Sequence, residues 1–179
     1  MKSKILITGS QGFIGKILVN KFRNSNKLIL LDKKKNLSKQ KNYYRINLLN
    51  LKYIEEIFKK NKITTIIHLA SEIFDDDKNV YDFNVTTSRN LILMAEKYKI
   101  KNFIFTSTFS IYEKNYIKPI LEKENPSAKN LYGKSKYQVE TILKESKLKN
   151  YTILRVPIVV GKSRSHRMGI LFEMIRNNF

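Results

Sequence analysis

Tyr132 and Lys136 stand four residues apart in the run Leu131-Tyr132-Gly133-Lys134-Ser135-Lys136, so on a helix they share one face. A phenol titrates near ~10 and moves protons poorly at neutral pH unless a nearby cation stabilises its anion. Lys136 at this spacing can supply that cation. Val139 and Leu143 continue the same face, which turns the pair toward the protein interior. Alone, the pattern fits a packed tyrosine beside a surface lysine equally well. Thr106-Ser107-Thr108 adds hydroxyls that can hold a substrate oxygen while Tyr132 moves its proton, although hydroxyl residues commonly end strands anyway.

A second set of residues suits anionic groups. Thr8-Gly9-Ser10-Gln11-Gly12-Phe13-Ile14-Gly15-Lys16 follows the apolar run Ile5-Leu6-Ile7. At a strand-to-helix turn, Gly9 allows the tight bend, Gly12 lets backbone approach a pyrophosphate, and Gly15 lets helix pack closely on strand. The N–H groups and positive dipole end of the helix then face the phosphates. Asp32 ends the next apolar run about 20 residues on, where a carboxylate can bind ribose hydroxyls. The other reading is a structural turn with a surface aspartate. A carboxylate repels a 2′-phosphate, so Asp32 favours NAD over NADP, while Lys33, Lys34 and Lys35 could hold such a phosphate. A nicotinamide bound here would add a second positive charge beside Tyr132.

These residues need elements to carry them. Apolar runs at Ile5–Ile7, Leu28–Leu31, Tyr43–Ile46, Thr65–Leu69, Phe103–Phe105 and Tyr151–Val156 read as strands. Helical spacing links Phe13, Ile14, Ile17, Leu18 and Phe22, then Leu51, Ile54, Ile57 and Phe58, then Leu91, Met94, Ala95 and Tyr98. A long helix is expected from Leu131 to Leu148 and a short one from Met168 to Ile175. Nearly all-apolar strands alternating with helices predict a doubly wound α/β domain, its parallel sheet covered on both faces. Ligands of such sheets gather beyond the carboxyl ends of the strands.

Composition removes other chemistries. The 179 residues include no cysteine, which excludes disulfides and thiolate chemistry, and His68 and His166 have no metal-ligand spacing. No metal site is expected. No signal peptide or apolar run of membrane-spanning length is read, which gives the expectation of a cytoplasmic chain without membrane insertion. The formal net charge of +20 would suit nucleic acid, an anionic surface or an acidic substrate. The lysines are scattered, however, and a composition rich in Lys, Asn and Ile also arises from a biased genome.

Taken in order, Thr8–Gly15, Asp32, His68-Leu69-Ala70, Asn84 in Asn84-Val85-Thr86-Thr87, Phe105–Thr108, Tyr132–Lys136 and Leu154-Arg155-Val156-Pro157 form a set. It resembles the extended short-chain dehydrogenases/reductases, specifically the NAD-dependent epimerase/dehydratase family acting on nucleotide sugars. The resemblance covers essentially the whole chain. It implies a Rossmann fold, NAD as cofactor with NADP the lesser alternative, and a nucleotide-sugar substrate; it also allows a homodimer. Tyr132 would be the acid/base, Lys136 would bind nicotinamide ribose and lower the tyrosine pKa, and Thr108 would hold the reacting oxygen. Gly9, Gln11, Gly12, Phe13, Ile14, Gly15 and Asp32 would meet the cofactor's phosphate and ribose side. Ser107 would lie beside the nicotinamide, Ala70 would line the cofactor, Leu48 would sit near adenine, and Asn84 would order the site. Leu69 and Pro157 complete the implied cofactor-binding set.

Departures qualify what the resemblance implies. Asn47 stands where the family usually has an acid. Thr108-Phe109-Ser110 lacks the Asp-Glu pair of the 4,6-dehydratases, so elimination of water is disfavoured. Val160-Gly161-Lys162 replaces the common Tyr-Gly-Pro, and Gly161-Lys162-Ser163 resembles a P-loop tail without its upstream glycine. The relatives continue past Phe179 into a smaller substrate-binding region. That region is expected to be largely absent here, with residues 161–179 as its start after the NAD-binding domain. The reading is thus an NAD-dependent epimerase or oxidoreductase; the alternative is a dinucleotide sensor or basic nucleic-acid-binding protein without turnover.

Overall fold

The computed structural model describes residues 3–22, 27–36, 40–73, 78–112 and 119–160. Six strands form one parallel sheet: β1 (Lys4–Thr8), β2 (Leu28–Asp32), β3 (Tyr43–Arg45), β4 (Ile63–His68), β5 (Asn102–Thr108) and β6 (Tyr151–Val156). Their order is β3-β2-β1-β4-β5-β6. The chain therefore builds outward from β1 on one side and from β4 on the other. Connections leaving β1 and β4 diverge, opening a crevice at the carboxyl edge. There Thr8 pairs in register with His68, and Thr108 with Val156.

The central strands are apolar because both their faces are covered, whereas β6 at the sheet edge stays partly exposed, with Leu154 46 % exposed. Leu6 points into a large core cluster with Ile54, Ile57, Leu91 and Leu143, whereas Ile7 joins a smaller cluster with Val19, Leu28 and Leu30. This alternation puts α1 (Phe13–Lys21) over one face and α2 (Leu51–Lys60), α3 (Lys78–Lys97) and α4 (Leu131–Glu145) over the large cluster. Asn50 starts α2 by accepting the Tyr53 N–H at 3.0 Å, and Asn130 starts α4 by accepting from Gly133 at 2.6 Å. No helix among the described residues is long and apolar enough to cross a membrane.

Two boundaries differ from the sequence expectation. Helix α3 begins at Lys78, well before the apolar stripe that starts at Leu91. Its first half buries Asn84, Thr87 and Ser88, so a polar inward face conceals the helical period. Helix α4 stops at Glu145, because Ser146 turns extended and its hydroxyl caps the Leu143 carbonyl at 2.7 Å. Leu148 still reaches the core from the following turn. The helix expected over 168–175, the Gly161-Lys162-Ser163 stretch and the segment 161–179 lie outside the described residues.

Candidate active site

The turn after β1 is built by missing side chains. Gly9 has φ +67°, and a Cβ there would lie 2.7 Å from the Ala70 amide nitrogen. A Cβ on Gly15 would fall well inside contact of the Gly9 carbonyl. Backbone of β1, α1 and the β4 exit thus meets where any side chain would wedge it apart. Gly12 caps α1 with no side-chain partner, the arrangement of a helix N-terminus that receives an anion. Phe13 and Ile14 open the helix half-buried, and Gln11 is buried.

Asp32 closes β2, nearly buried, with both oxygens anchored. One accepts the Gln11 N–H at 2.7 Å and the other the Lys34 N–H at 2.9 Å. Each oxygen keeps a lone pair for a further donor. Lys33 is ion-paired with Glu72. Leu48 is buried in the large core, its carbonyl accepting from Asn90 at 3.0 Å. Asn47, at the position where an acid was expected, caps the Leu49 N–H at 3.1 Å. Leu69 packs on the smaller cluster, and its N–H reaches the Thr8 carbonyl at 3.3 Å.

Across the crevice the geometry is made by side chains. Thr108 ends β5, and its hydroxyl accepts the Ser110 N–H at 3.1 Å. Tyr132 enters from the first turn of α4. A Cβ on Gly133 would lie 2.5 Å from the Ser110 carbonyl, so this glycine lets α4 sit directly against the turn after Thr108. Burial raises the Tyr132 pKa, and hydrogen bonding with Thr108 and then Ser71 lowers it. Lys136 is buried to 3 % exposure, and burial pushes its pKa down from 10.5 to about 7. Its Nζ donates to the Thr106 carbonyl at 2.8 Å and lies 5.9 Å from the centre of the Tyr132 ring. Burial pushes each group toward its neutral form, so a phenolate and an ammonium formed together would relieve one another.

Several partners here are not apparent from sequence spacing. Asn84 is a hub: its Oδ1 accepts from Ser71 at 3.2 Å and from the Glu72 N–H at 2.9 Å. Its Nδ2 donates to the Glu72 carbonyl at 3.0 Å and to Ser135 at 3.2 Å. Ser88 donates to the Asn84 carbonyl at 2.7 Å, which makes His68 Nε2 the donor to Ser88 at 2.9 Å. His68 Nδ1 then accepts from Thr8 at 2.7 Å, and Thr8 accepts the Ala70 N–H at 3.3 Å. Burial first, and the Lys136 cation second, lower the His68 pKa to about 3, so the ring stays neutral. The Ser107 hydroxyl is directed at Glu140, 2.6 Å away, rather than left free in the crevice. Glu140 is fully buried and ion-paired with Arg155 at 2.7 Å. Its place four residues after Lys136 was the available signal. Pro157 stands exposed one residue past β6.

Comparisons with known proteins agree with this edge. The UDP-glucose 4-epimerase of Pasteurella multocida is 33% identical over 192 residues, covering 94% of this chain and 56% of that protein. The chain thus spans about half the length of the curated relatives it matches. The solved UDP-glucose 4-epimerase of Thermotoga maritima, with UDP-glucose, superposes with a TM-score of 0.76 at 28% identity over 86% of this chain and 55% of that one. The Bordetella bronchiseptica enzyme WbmG, solved with NAD, gives a TM-score of 0.84 over 97% of this chain and 59% of that one. At 22% identity, this last likeness bears on the fold alone. A model of the NAD dependent epimerase/dehydratase family matches residues 5–178. Because that match takes in every strand and both sides of the crevice, the chain belongs to the NAD dependent epimerase/dehydratase family.

Proposed function

We propose that this chain binds NAD at the carboxyl edge of its sheet and serves epimerisation of a nucleotide-activated hexose, with Tyr132 as acid/base. The observation that carries the reading is buried Lys136, one turn along α4 from Tyr132 with its Nζ 5.9 Å from the centre of the tyrosine ring, where the helix packs against the end of β5. The glycine turn and Asp32 lie at the same edge and have the donor set a dinucleotide requires. The α1 N-terminus would take the pyrophosphate, and the free lone pairs of Asp32 would accept ribose hydroxyls. Ala70, Leu69, Leu48 and Pro157 are assigned to the walls, and Ser107 to the nicotinamide end.

When bound, the nicotinamide supplies a hydride acceptor and donor. The protein's own part is to move one proton and hold one oxygen. Tyr132 takes the proton of the sugar hydroxyl as the carbon is oxidised, and Thr108 holds that oxygen in place. Lys136 would keep its cation beside the phenolate and would hold the nicotinamide ribose. Returning the proton from Tyr132 completes the reverse step on the other face of the sugar. The relatives' names support a UDP-hexose and its carbon 4. Elimination is not part of this reading, since Phe109 and Ser110 follow Thr108 where a dehydratase needs a further acid and base.

NADH titration followed by nicotinamide fluorescence tests the first half: saturable binding is expected, and its absence overturns the reading. Tyr132→Phe tests the second. Sugar-dependent turnover should fall at least about 100-fold with NADH affinity retained.

A further inference from the structure

Scattered in sequence, the lysines gather in the fold. All strands of a parallel sheet start at one edge, and the helices that cover it run back to end there. Lysines in the last turns, Lys21 of α1, Lys59 and Lys60 of α2, Lys97 of α3 and Lys144 of α4, complement the negative ends of the helix dipoles. Lys59 and Lys97 are also paired with Glu55. A second set lies beyond the helix ends. Every strand has a lysine at its first residue or within two residues before it: Lys41 for β3, Lys27 for β2, Lys4 for β1, Lys62 for β4, Lys101 for β5 and Lys149 for β6. In sheet order they form one row along the amino edge. Backbone bonds between neighbouring strand starts hold the row: the Ile5 N–H donates to the Lys27 carbonyl at 2.7 Å, the Lys4 N–H to Lys62 at 2.9 Å, and the Phe103 N–H to Asn150 at 3.1 Å. Half-buried Lys4 donates to Asn61 at 2.8 Å, and the others in the row are exposed.

We propose that this amino edge binds single-stranded RNA along the row of lysines, at the opposite end of the strands from the crevice. At a strand spacing of about 4.8 Å the row is about 24 Å long, matching roughly seven nucleotides of a stacked strand at about 3.4 Å per charge. Acids do not offset it: among the described residues, the last helical turns and the loops after them contain only Glu96 and Glu145. Glu96 accepts the Lys147 N–H at 2.7 Å. Between the starts of β5 and β6 lies an open cleft of about 730 Å³ lined by Lys149, Tyr151, Asn102, Asn150 and Thr152, together with Phe103. Tyr151 is 37 % exposed and offers a ring on which an unpaired base can stack. The amides and Thr152 can meet ribose hydroxyls, which favours RNA over DNA. An anionic membrane suits the edge less well, since it asks for apolar side chains that enter the lipid, and Asn61, Asn102, Asn150 and Thr152 are polar.

The test is fluorescence anisotropy of a labelled uridine RNA of about 12 nucleotides, titrated with the full chain at about 50 and 200 mM salt. Saturable binding is expected, with a log–log salt slope of about −4 and so a loss of roughly 200-fold across that range. Lys62→Gln with Lys101→Gln, in the middle of the row, should weaken binding at least about tenfold and flatten the slope. Lys52→Gln with Lys123→Gln removes the same charge on the opposite side of the fold and should cost less than about threefold, because salt screens it at that distance. Equal urea midpoints of the two double variants confirm that neither loss reflects unfolding. Tyr151→Ala should cost at least about fivefold with the slope unchanged. The proposal is overturned by no saturable binding at the lower salt, by equal losses in the two double variants, or by an unchanged affinity in Tyr151→Ala. Tighter binding of thymidine DNA of the same length, of anionic phospholipid vesicles or of polyglutamate also overturns it.

Discussion

The two sides of the crevice are made in opposite ways. At the turn after β1, binding geometry comes from atoms that are absent: Gly9 and Gly15 bring three backbone segments into contact, and only Asp32 contributes a functional side chain. At the β5–α4 corner it comes from polar side chains: buried Thr108, Lys136, Asn84, Ser135 and Glu140, with half-buried Tyr132 and Arg155. The first design tolerates little added volume but needs few partners. The second depends on each group keeping its hydrogen bonds, since an unpaired polar group in low dielectric is costly. Damage should therefore spread from the corner and stay local at the turn.

Arg155→Met should give the largest effect, because it leaves Glu140 as an uncompensated buried carboxylate. A loss of about 3–5 kcal/mol in urea unfolding is expected, most of it recovered by adding Glu140→Leu. No recovery in the double variant would break the contrast. Acidification comes next. The folded pKa of His68 lies near 3 against an ordinary 6.5, so between these values the unfolded state binds the extra proton. The stabilisation present above pH 6.5 is therefore lost as pH falls, by up to about 1.4 kcal/mol per unit. His68→Gln, which keeps a donor and an acceptor, should flatten that limb of the stability profile.

Gly15→Ala should cost about 1–3 kcal/mol by overpacking and should abolish measurable NADH binding. Sharing the damage with Tyr132, seen as a shifted ionisation midpoint, would contradict a local effect. Asp32→Asn is the smallest: fluorescence titration should show NADH affinity falling about tenfold, the size of one weakened charge-assisted hydrogen bond. Stability should also fall by about 1 kcal/mol, because an amide leaves an oxygen for only one of the Gln11 and Lys34 N–H groups.

Much of the fold was legible because its strands are short apolar runs and its turn glycines are spaced for one job. The helix spacing of Ile54, Ile57 and Phe58 in α2 was legible for the same reason. The first half of α3 was not, because Asn84, Thr87 and Ser88 are polar and yet buried. Nor was the bond from Asn84 to Ser135, which joins positions far apart in the chain. Glu140 sat in the visible Tyr132–Lys136 spacing, but only the neighbouring β6 shows that Arg155 neutralises it.

The amino-acid order alone determined the alternation of strands and helices, the glycine turn, the acid at the end of β2 and the inward face that carries Tyr132 and Lys136. These follow from local periodicity and from what each residue's backbone permits. The tertiary structure decided which hydroxyl meets the Asn84 amide, which tautomer His68 takes, and how far burial pulls Lys136 toward neutrality. Those properties depend on desolvation and on partners from other elements, and neither exists until the sheet and helices have packed.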